Sequence, residues 1–435
     1  MEKSGEKALK RYALESADQY YSEAFDLLTQ NNNRSKEEDA LLVNLLMKWS
    51  QVYYYQGRFQ RTTELLLAHV GLAESLGNQA TLGAYLTWLG HATFWQGARL
   101  EDSYYYLHKA LELGEETKDQ QVITYACAFL IKTCAEMGRL EEAVFFEKRT
   151  QEMFGLFPSD AFLQMTYYSG KGWIGWFIGD KNRIYEGAKG LLDFGQKMSS
   201  QRCEMVGSLL MGFRQFLDLE VESAIEYTMK VISQGDPYHA IFGRLLRGIY
   251  LVHMGEFEAA EKDLTEVVEY SDLNGTEYLK PSAHLFLGVA LAAQRRVGEG
   301  ISLIKSAARE FTAYQRTVFC CWSETILGGV LVQFLQKSGG LSLSFLIKNL
   351  GFLIKNVPFA RKKAEQHLQN AVQIARETGA KGFLGQPLLQ LGLLYKVKGK
   401  KGQAEEYLRE ARKVFEECDL DVYAKRASEL LDSLA

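Results

Sequence analysis

A turn signal recurs along this chain with a spacing too regular for unrelated domains, and it constrains the fold more than any single motif does. Taking the turn at Gly399 as reference, the same pattern of a turn followed by a small residue five positions on is found at Tyr12, Gly57, Ala98, Gly138, Gly179, Leu219, Gly255, Arg295 and Phe359. Seven of the nine intervals lie between 36 and 41 residues. A fixed period of that length is the mark of stacked helical hairpins, each of which buries its apolar face only against its neighbours. Twelve positions beyond each anchor stand Ala24, His69, Ala110, Thr150, Leu191, Val231, Val267, Ala307, Ala371 and Ala411, five of them alanines where two helices must approach closely. Pro158, Pro237, Pro281 and Pro387 each precede an anchor by 12 to 21 residues. Proline is tolerated in the first turn of a helix, so these positions are expected to open the first helix of a hairpin.

The most regular unit, 385–418, places Leu388, Leu391, Gly392 and Tyr395 on one helix and Ala404, Leu408 and Ala411 on the next. These positions resemble the signature of the tetratricopeptide repeat, with Leu388 for the usual Trp and Glu416 for the usual Pro. The resemblance implies an all-α protein: an α-solenoid of about ten helical hairpins over residues 1–435, wound as a right-handed superhelix with first helices lining a concave face. The longer period further resembles the repeat solenoids at the C-terminal end of large bacterial signalling proteins, such as MalT-like regulators and those joining a cyclase or kinase to an ATPase module. That likeness implies a cytoplasmic module with a protein or peptide partner, upstream domains of the same polypeptide being one candidate. Met1 falls inside a repeat, with a truncated first unit at 1–30, which is expected if another domain covers that face. An exposed apolar patch around Lys7 to Arg11, Tyr12, Tyr20 and Tyr21 is the corresponding expectation. Residues 420–435 read as a capping helix.

The interval from Arg295 to Phe359 is 64 residues, an excess falling on 338–358. Within it FLIKN occurs twice, so Phe345, Leu346, Phe352 and Leu353 share an apolar surface that packs on the solenoid, docks a partner or touches a membrane; membrane contact is the least expected.

Composition removes several function classes. A net charge of −4 gives no overall reason to expect nucleic acid. The six cysteines form no CxxC pair and the seven histidines no metal-binding pattern, so no metal, cofactor or disulfide framework is expected. Gly170-Lys171-Gly172-Trp173-Ile174-Gly175 fits the dinucleotide fingerprint, but the preceding residues read as helix where the fingerprint needs a strand. No catalytic residue is assigned, because no cluster of titratable groups is visible. Binding is expected instead from aromatic residues and arginines, the usual interface anchors. Aromatics concentrate in the first four hairpins; most are expected to pack in the core, since consecutive aromatics cannot share one face, and Trp88, Trp95, Trp173 and Trp176 are the candidates for the inner groove. Arg214, Arg244 and Arg247 lie on otherwise apolar first helices, where they either snorkel from a helix edge, the more expected role, or hold a carboxylate or phosphate. A peptide-gripping adaptor and a small-molecule sensor with an enclosed aromatic pocket remain the two alternatives.

Overall fold

The computed structural model describes residues 1–11, 13–31, 33–337 and 359–434, which form 21 α-helices and no strand. They pair in sequence as ten hairpins: α1 (Glu2–Lys10) with α2 (Leu14–Gln30), α3 (Lys36–Gln56) with α4 (Phe59–Ser75), and α5 (Gln79–Gln96) with α6 (Leu100–Thr117). Next come α7 (Gln120–Glu136) with α8 (Leu140–Phe154), α9 (Ala161–Ile178) with α10 (Lys181–Met198), and α11 (Gln201–Leu217) with α12 (Val221–Gln234). The last four are α13 (Pro237–Met254) with α14 (Phe257–Asn274), α15 (Lys280–Ala293) with α16 (Val297–Ala313), α17 (Thr317–Lys337) with α18 (Ala360–Thr378), and α19 (Lys381–Val397) with α20 (Lys401–Glu417). Helix α21 (Asp421–Asp432) closes the series against α20. The described residues form an all-α solenoid of helical hairpins.

The turn anchors are where the backbone changes hand. Gly57, Gly138, Gly179, Gly255 and Gly399 all adopt positive φ, as do Leu219 at 59° and Arg295 at 69°. In the third hairpin the left-handed residue is Gly97, one position before the expected Ala98. Glycine takes this conformation without steric cost and so ends a helix cleanly. At Gly57 the N–H groups of Gly57 and Arg58 return to the carbonyls of Tyr54 and Tyr53 at 3.1 and 2.9 Å, satisfying the end of α3. Tyr12 is outside the described residues, and Phe359 directly follows an undescribed stretch. The insertion at 338–358, with Phe345, Leu346, Phe352 and Leu353, also lies outside the described residues.

First helices start on their own signals. Asp119, Asp160 and Asp236 accept hydrogen bonds from the first free N–H groups of α7, α9 and α13, and Ser35 with Glu38 forms a capping box on α3. Pro237 and Pro281 open α13 and α15 as expected. Pro387 does not open α19: that helix starts at Lys381, so the proline sits inside it, buried, where it removes one intrahelical bond. Close approach within a hairpin depends on small residues. A Cβ on Gly392 would stand 2.5 Å from Leu408 Cγ, so only glycine lets α19 meet α20 at that seam. The glycines of 170–175 lie in the middle of α9 with no strand before them, and serve the same packing purpose against Ile131, Leu210 and Ile184.

The superhelix winds tightly enough to close on itself. The second hairpin meets the seventh through α3 and α13, the fourth meets the ninth through α7 and α17, and the fifth meets the tenth through α9 and α19. One turn therefore takes five hairpins. Successive turns are joined by hydrogen bonds between residues 214 apart, Tyr270 Oη to the Gln56 carbonyl at 3.0 Å and Glu101 N–H to Gln315 at 3.2 Å. The Glu277 N–H donates to the Gln96 carbonyl at 2.7 Å. Where α9 meets α19, a Cβ on Gly382 would collide with the carbonyl of Trp176. At the N-terminal end α1 lies against α2 and α3, with Ala8 and Tyr21 buried, Tyr20 partly exposed, and Glu2 and Glu6 both paired with Lys48.

Candidate functional site

Because the turns touch, the space available to a ligand lies along the superhelical axis, enclosed by first helices. Its N-terminal part is filled. His91 stacks on Phe129 at 4.2 Å between ring centres, Tyr54 stands 5.1 Å from His91 and 5.4 Å from Phe162, and Trp95 packs on Tyr278 at 4.6 Å. Trp95 Nε1 donates to His91 Nε2 at 2.9 Å. Burial, reinforced by the nearby Lys132, holds His91 well below its ordinary pKa, so its ring is neutral and free to accept that bond. Trp95 is only 7% exposed and belongs to this plug. Trp88 is half-buried beside it, 5.3 Å from Phe162.

Beyond Trp173 the axis opens into a cavity of about 610 Å³. Its wall is mainly a ring of first helices, completed by residues of α12, α20 and α21. Trp173 and Trp176 come from α9, Phe213 and Phe216 from α11, Leu245, Ile249 and Tyr250 from α13, Phe319 and Trp322 from α17, and Phe383 from α19. Trp176 is the hinge of the ring, with centroids 4.8 Å from Phe213, 5.4 Å from Trp322 and 5.1 Å from Phe383. The lining runs from Arg316, just before α17, to Gln333 near its end. At 1.5 Å per helical residue that is a length of roughly 25 Å. Arg426 and Glu222, both exposed, also lie on the lining. Aromatic and aliphatic side chains with polar groups between them, around a volume in the range of roughly 300–1,000 Å³, are the usual form of a ligand site.

The inner end of the cavity carries a buried charge cluster. Glu136, the last residue of α7, has no exposed surface and accepts hydrogen bonds from Tyr278 Oη at 2.6 Å and Trp173 Nε1 at 3.1 Å. Arg316 is 1% exposed; its Nη1 donates to the Tyr278 carbonyl at 3.2 Å and its Nε lies 3.7 Å from Glu136 Oε2, too far for a hydrogen bond. The guanidinium also faces the Tyr278 ring, 4.1 Å from its centre. Lys132, one helical turn before Glu136, holds its ammonium 5.0 Å from the Trp95 ring and 5.3 Å from the Trp173 ring. Burial lowers its pKa to about 8 against the opposing pull of Glu136. Burial likewise raises the Glu136 carboxyl, although Arg316, Tyr278 and Lys132 act against it.

The residues singled out from the sequence divide among these regions. Trp173 and Trp176 line the cavity, Trp95 stands in the plug and Trp88 beside it. The arginines are engaged with their own chain and do not line the cavity. Arg214 pairs with Asp218 at the end of its helix. Arg247 grips Asp263 of α14 at 2.5 and 2.6 Å, and Arg244 reaches the same carboxylate at 3.2 Å and Glu266 at 3.0 Å. Asp263 is 1% exposed, so this clamp ties α13 to α14. Sequence reasoning missed Lys132, Glu136 and Arg316 as a cluster, as well as Phe383, Gln390 and Tyr250 in the wall. Lys132 and Glu136 share a face of α7, but Arg316 reaches them only because the superhelix closes.

No protein-family model and no curated protein match the chain. Among solved structures it is similar to a Rap protein complexed with Competence and Sporulation Factor, at 11% identity and a TM-score of 0.45, over 77% of this chain and 92% of that one. It is also similar to a signal transduction ATPase with a tetratricopeptide repeat sensor from Pyrococcus horikoshii, at 16% identity and a TM-score of 0.33, over 91% of this chain and 55% of that one. Likeness at this level says nothing about ligand or activity. Among the described residues no helix is long and apolar enough to cross a membrane.

Proposed function

We propose that this chain is a non-catalytic interaction and sensor module that takes its ligand into the axial cavity rather than onto an open concave face. The observation that carries the proposal is the cavity itself, about 610 Å³ walled by aromatic side chains from α9, α11, α13, α17 and α19. A short apolar peptide, or the end of a partner's chain, fits a passage of roughly 25 Å, since about seven extended residues span that length. Because the wall joins hairpins from both ends of one superhelical turn, a ligand bridging α9 and α19 would favour one pitch of the superhelix over others. That is the physical basis for a sensor, which passes binding on as a population shift. A small organic ligand would work the same way and is the second candidate. The buried carboxylates Glu136 and Asp263 tie helices together, which supports a binding role over catalysis. Six cysteines without a disulfide favour a reducing, cytoplasmic setting. The resemblance to the repeat ends of bacterial signalling proteins supports placing the module beside signalling domains, in the same polypeptide or in a partner.

The test is a titration of short apolar peptides against the wild-type chain and an Ile249→Trp variant that blocks the cavity. Saturable binding by the wild type and none by the folded variant is expected. Equal binding by both would place the ligand outside the cavity.

A further inference from the structure

Polar groups stand among the apolar ones along the cavity, and several are left without hydrogen-bond partners. Arg316 Nε and Nη2, Tyr250 Oη and Gln390 Oε1 are buried and make no hydrogen bond, and all three residues line the cavity. Such atoms also occur elsewhere in the fold, but these three residues share one cavity, where a ligand's polar groups can reach them together. The charge balance at the cavity's inner end says what kind of group fits there. Arg316 and Lys132 are two cations and Glu136 is one carboxylate, a formal surplus of one positive charge among the rings of Trp95, Trp173 and Tyr278. Glu136 pairs with Arg316 through space at 3.7 Å but makes no hydrogen bond to it, since its Oε1 is spent on Tyr278 and Trp173. A guanidinium with unused N–H groups in a low-dielectric site is suited to an oxyanion, above all a carboxylate.

Resting on the cavity as the binding site, we propose that its ligand is an amphipathic anion. The carboxylate docks at Arg316 at the inner end, and an apolar or aromatic body lies along Trp176, Phe213, Trp322 and Phe383. Tyr250 and Gln390 then take polar groups of the body, Gln390 Oε1 accepting from an N–H. The free C-terminus of a short apolar peptide and a free hydrophobic acid present the same head.

Two matched pairs of probes separate head from body: an N-acetylated tripeptide of phenylalanine and leucine as free acid and as C-terminal amide, and decanoate with decanol. Binding is read from the emission of tryptophan, three of which stand in the wall. In at least one pair the acid is expected to bind roughly tenfold tighter than its neutral partner, the size of a charge-assisted hydrogen bond. Arg316→Gln should bring that ratio to within about twofold while the neutral partner binds as before. Because this change strands Glu136, the double variant Arg316→Gln with Glu136→Gln is measured as well and should lose the same preference. Preference in the peptide pair identifies a chain terminus as the ligand, and preference in the decanoate pair a free acid. Equal binding of acid and neutral forms by the wild type overturns the anion site and leaves the cavity as a binding site. Binding of none of the four overturns both.

Discussion

The two halves of the superhelical axis are built from the same kind of helix and end up with opposite contents. In the N-terminal half Tyr54, His91, Trp95, Phe129 and Phe162 project inward and fill the axis with interlocked rings. In the C-terminal half the corresponding helices present Leu209, Leu210, Leu245, Leu246 and Ile249 along α11 and α13, and α15 contributes only Ser282. Shorter side chains cannot reach across the same ring of helices, so a cavity remains. Rings still line it, but they stand around the wall, one or two to a helix. Aromatic content alone therefore does not mark a binding surface in a solenoid; whether opposing rings can meet decides between core and pocket.

The contrast is sharpest in tryptophan truncations. Trp95→Ala removes a ring from the plug and should cost about 4 kcal/mol of unfolding free energy, the usual price of a large core truncation, read from the midpoint of denaturant unfolding. Next in size is Asp236, which caps α13, accepts from Arg202 at 2.9 Å and His239 at 2.8 Å, and anchors the wall of the plug. Burial pushes its carboxyl up, but His239 and Arg202 outweigh that and hold it well below its ordinary value of 3.8. Its folded pKa lies below its unfolded one, so its stabilisation is present above about pH 4 and is lost as pH falls through the lowered value. Asp236→Asn should cost about 3 kcal/mol at neutral pH and flatten the acid limb of a stability–pH profile.

Trp176→Ala should be milder for stability, about 2 kcal/mol, because the ring is half-buried and already borders open space. Its main effect is expected on ligand binding, which Trp95→Phe should leave within about twofold. If Trp176→Ala instead unfolds the chain as readily as Trp95→Ala, the distinction between plug and cavity fails. The smallest change runs the other way. Gln390→Leu removes a buried acceptor with no partner and should raise stability by about 1 kcal/mol in thermal unfolding of the free protein. A loss of stability would show that Gln390 is satisfied within the fold.

Much of the scaffold was legible before any coordinates. The left-handed turns fall on the expected anchors because local chemistry sets them, and the one-residue offset at Gly97 shows the glycine overriding the period at Ala98. Pro387 was misplaced for a tertiary reason: the seam of α19 with α9 at Gly382 and Phe383 extends the helix upstream of the proline. The closure every five hairpins was not legible, since it depends on bonds between residues 214 apart that no helical period encodes. For the same reason Arg244 and Arg247 stood out in sequence as charges on an apolar helix, although Asp263 one helix away consumes them. Arg316 did not stand out, because in sequence it is an ordinary turn residue before α17. Only the closed superhelix brings it to Glu136.

Hydrogen exchange on the wild-type chain, with and without the free-acid tripeptide, reads both regions at once. Slower exchange confined to α9, α11, α13, α17 and α19, with α3 and α5 unchanged, is the expected pattern. Protection concentrated on α3 and α5, or on the outer helices α4, α6 and α8, would contradict an axial cavity that binds and an axial plug that does not.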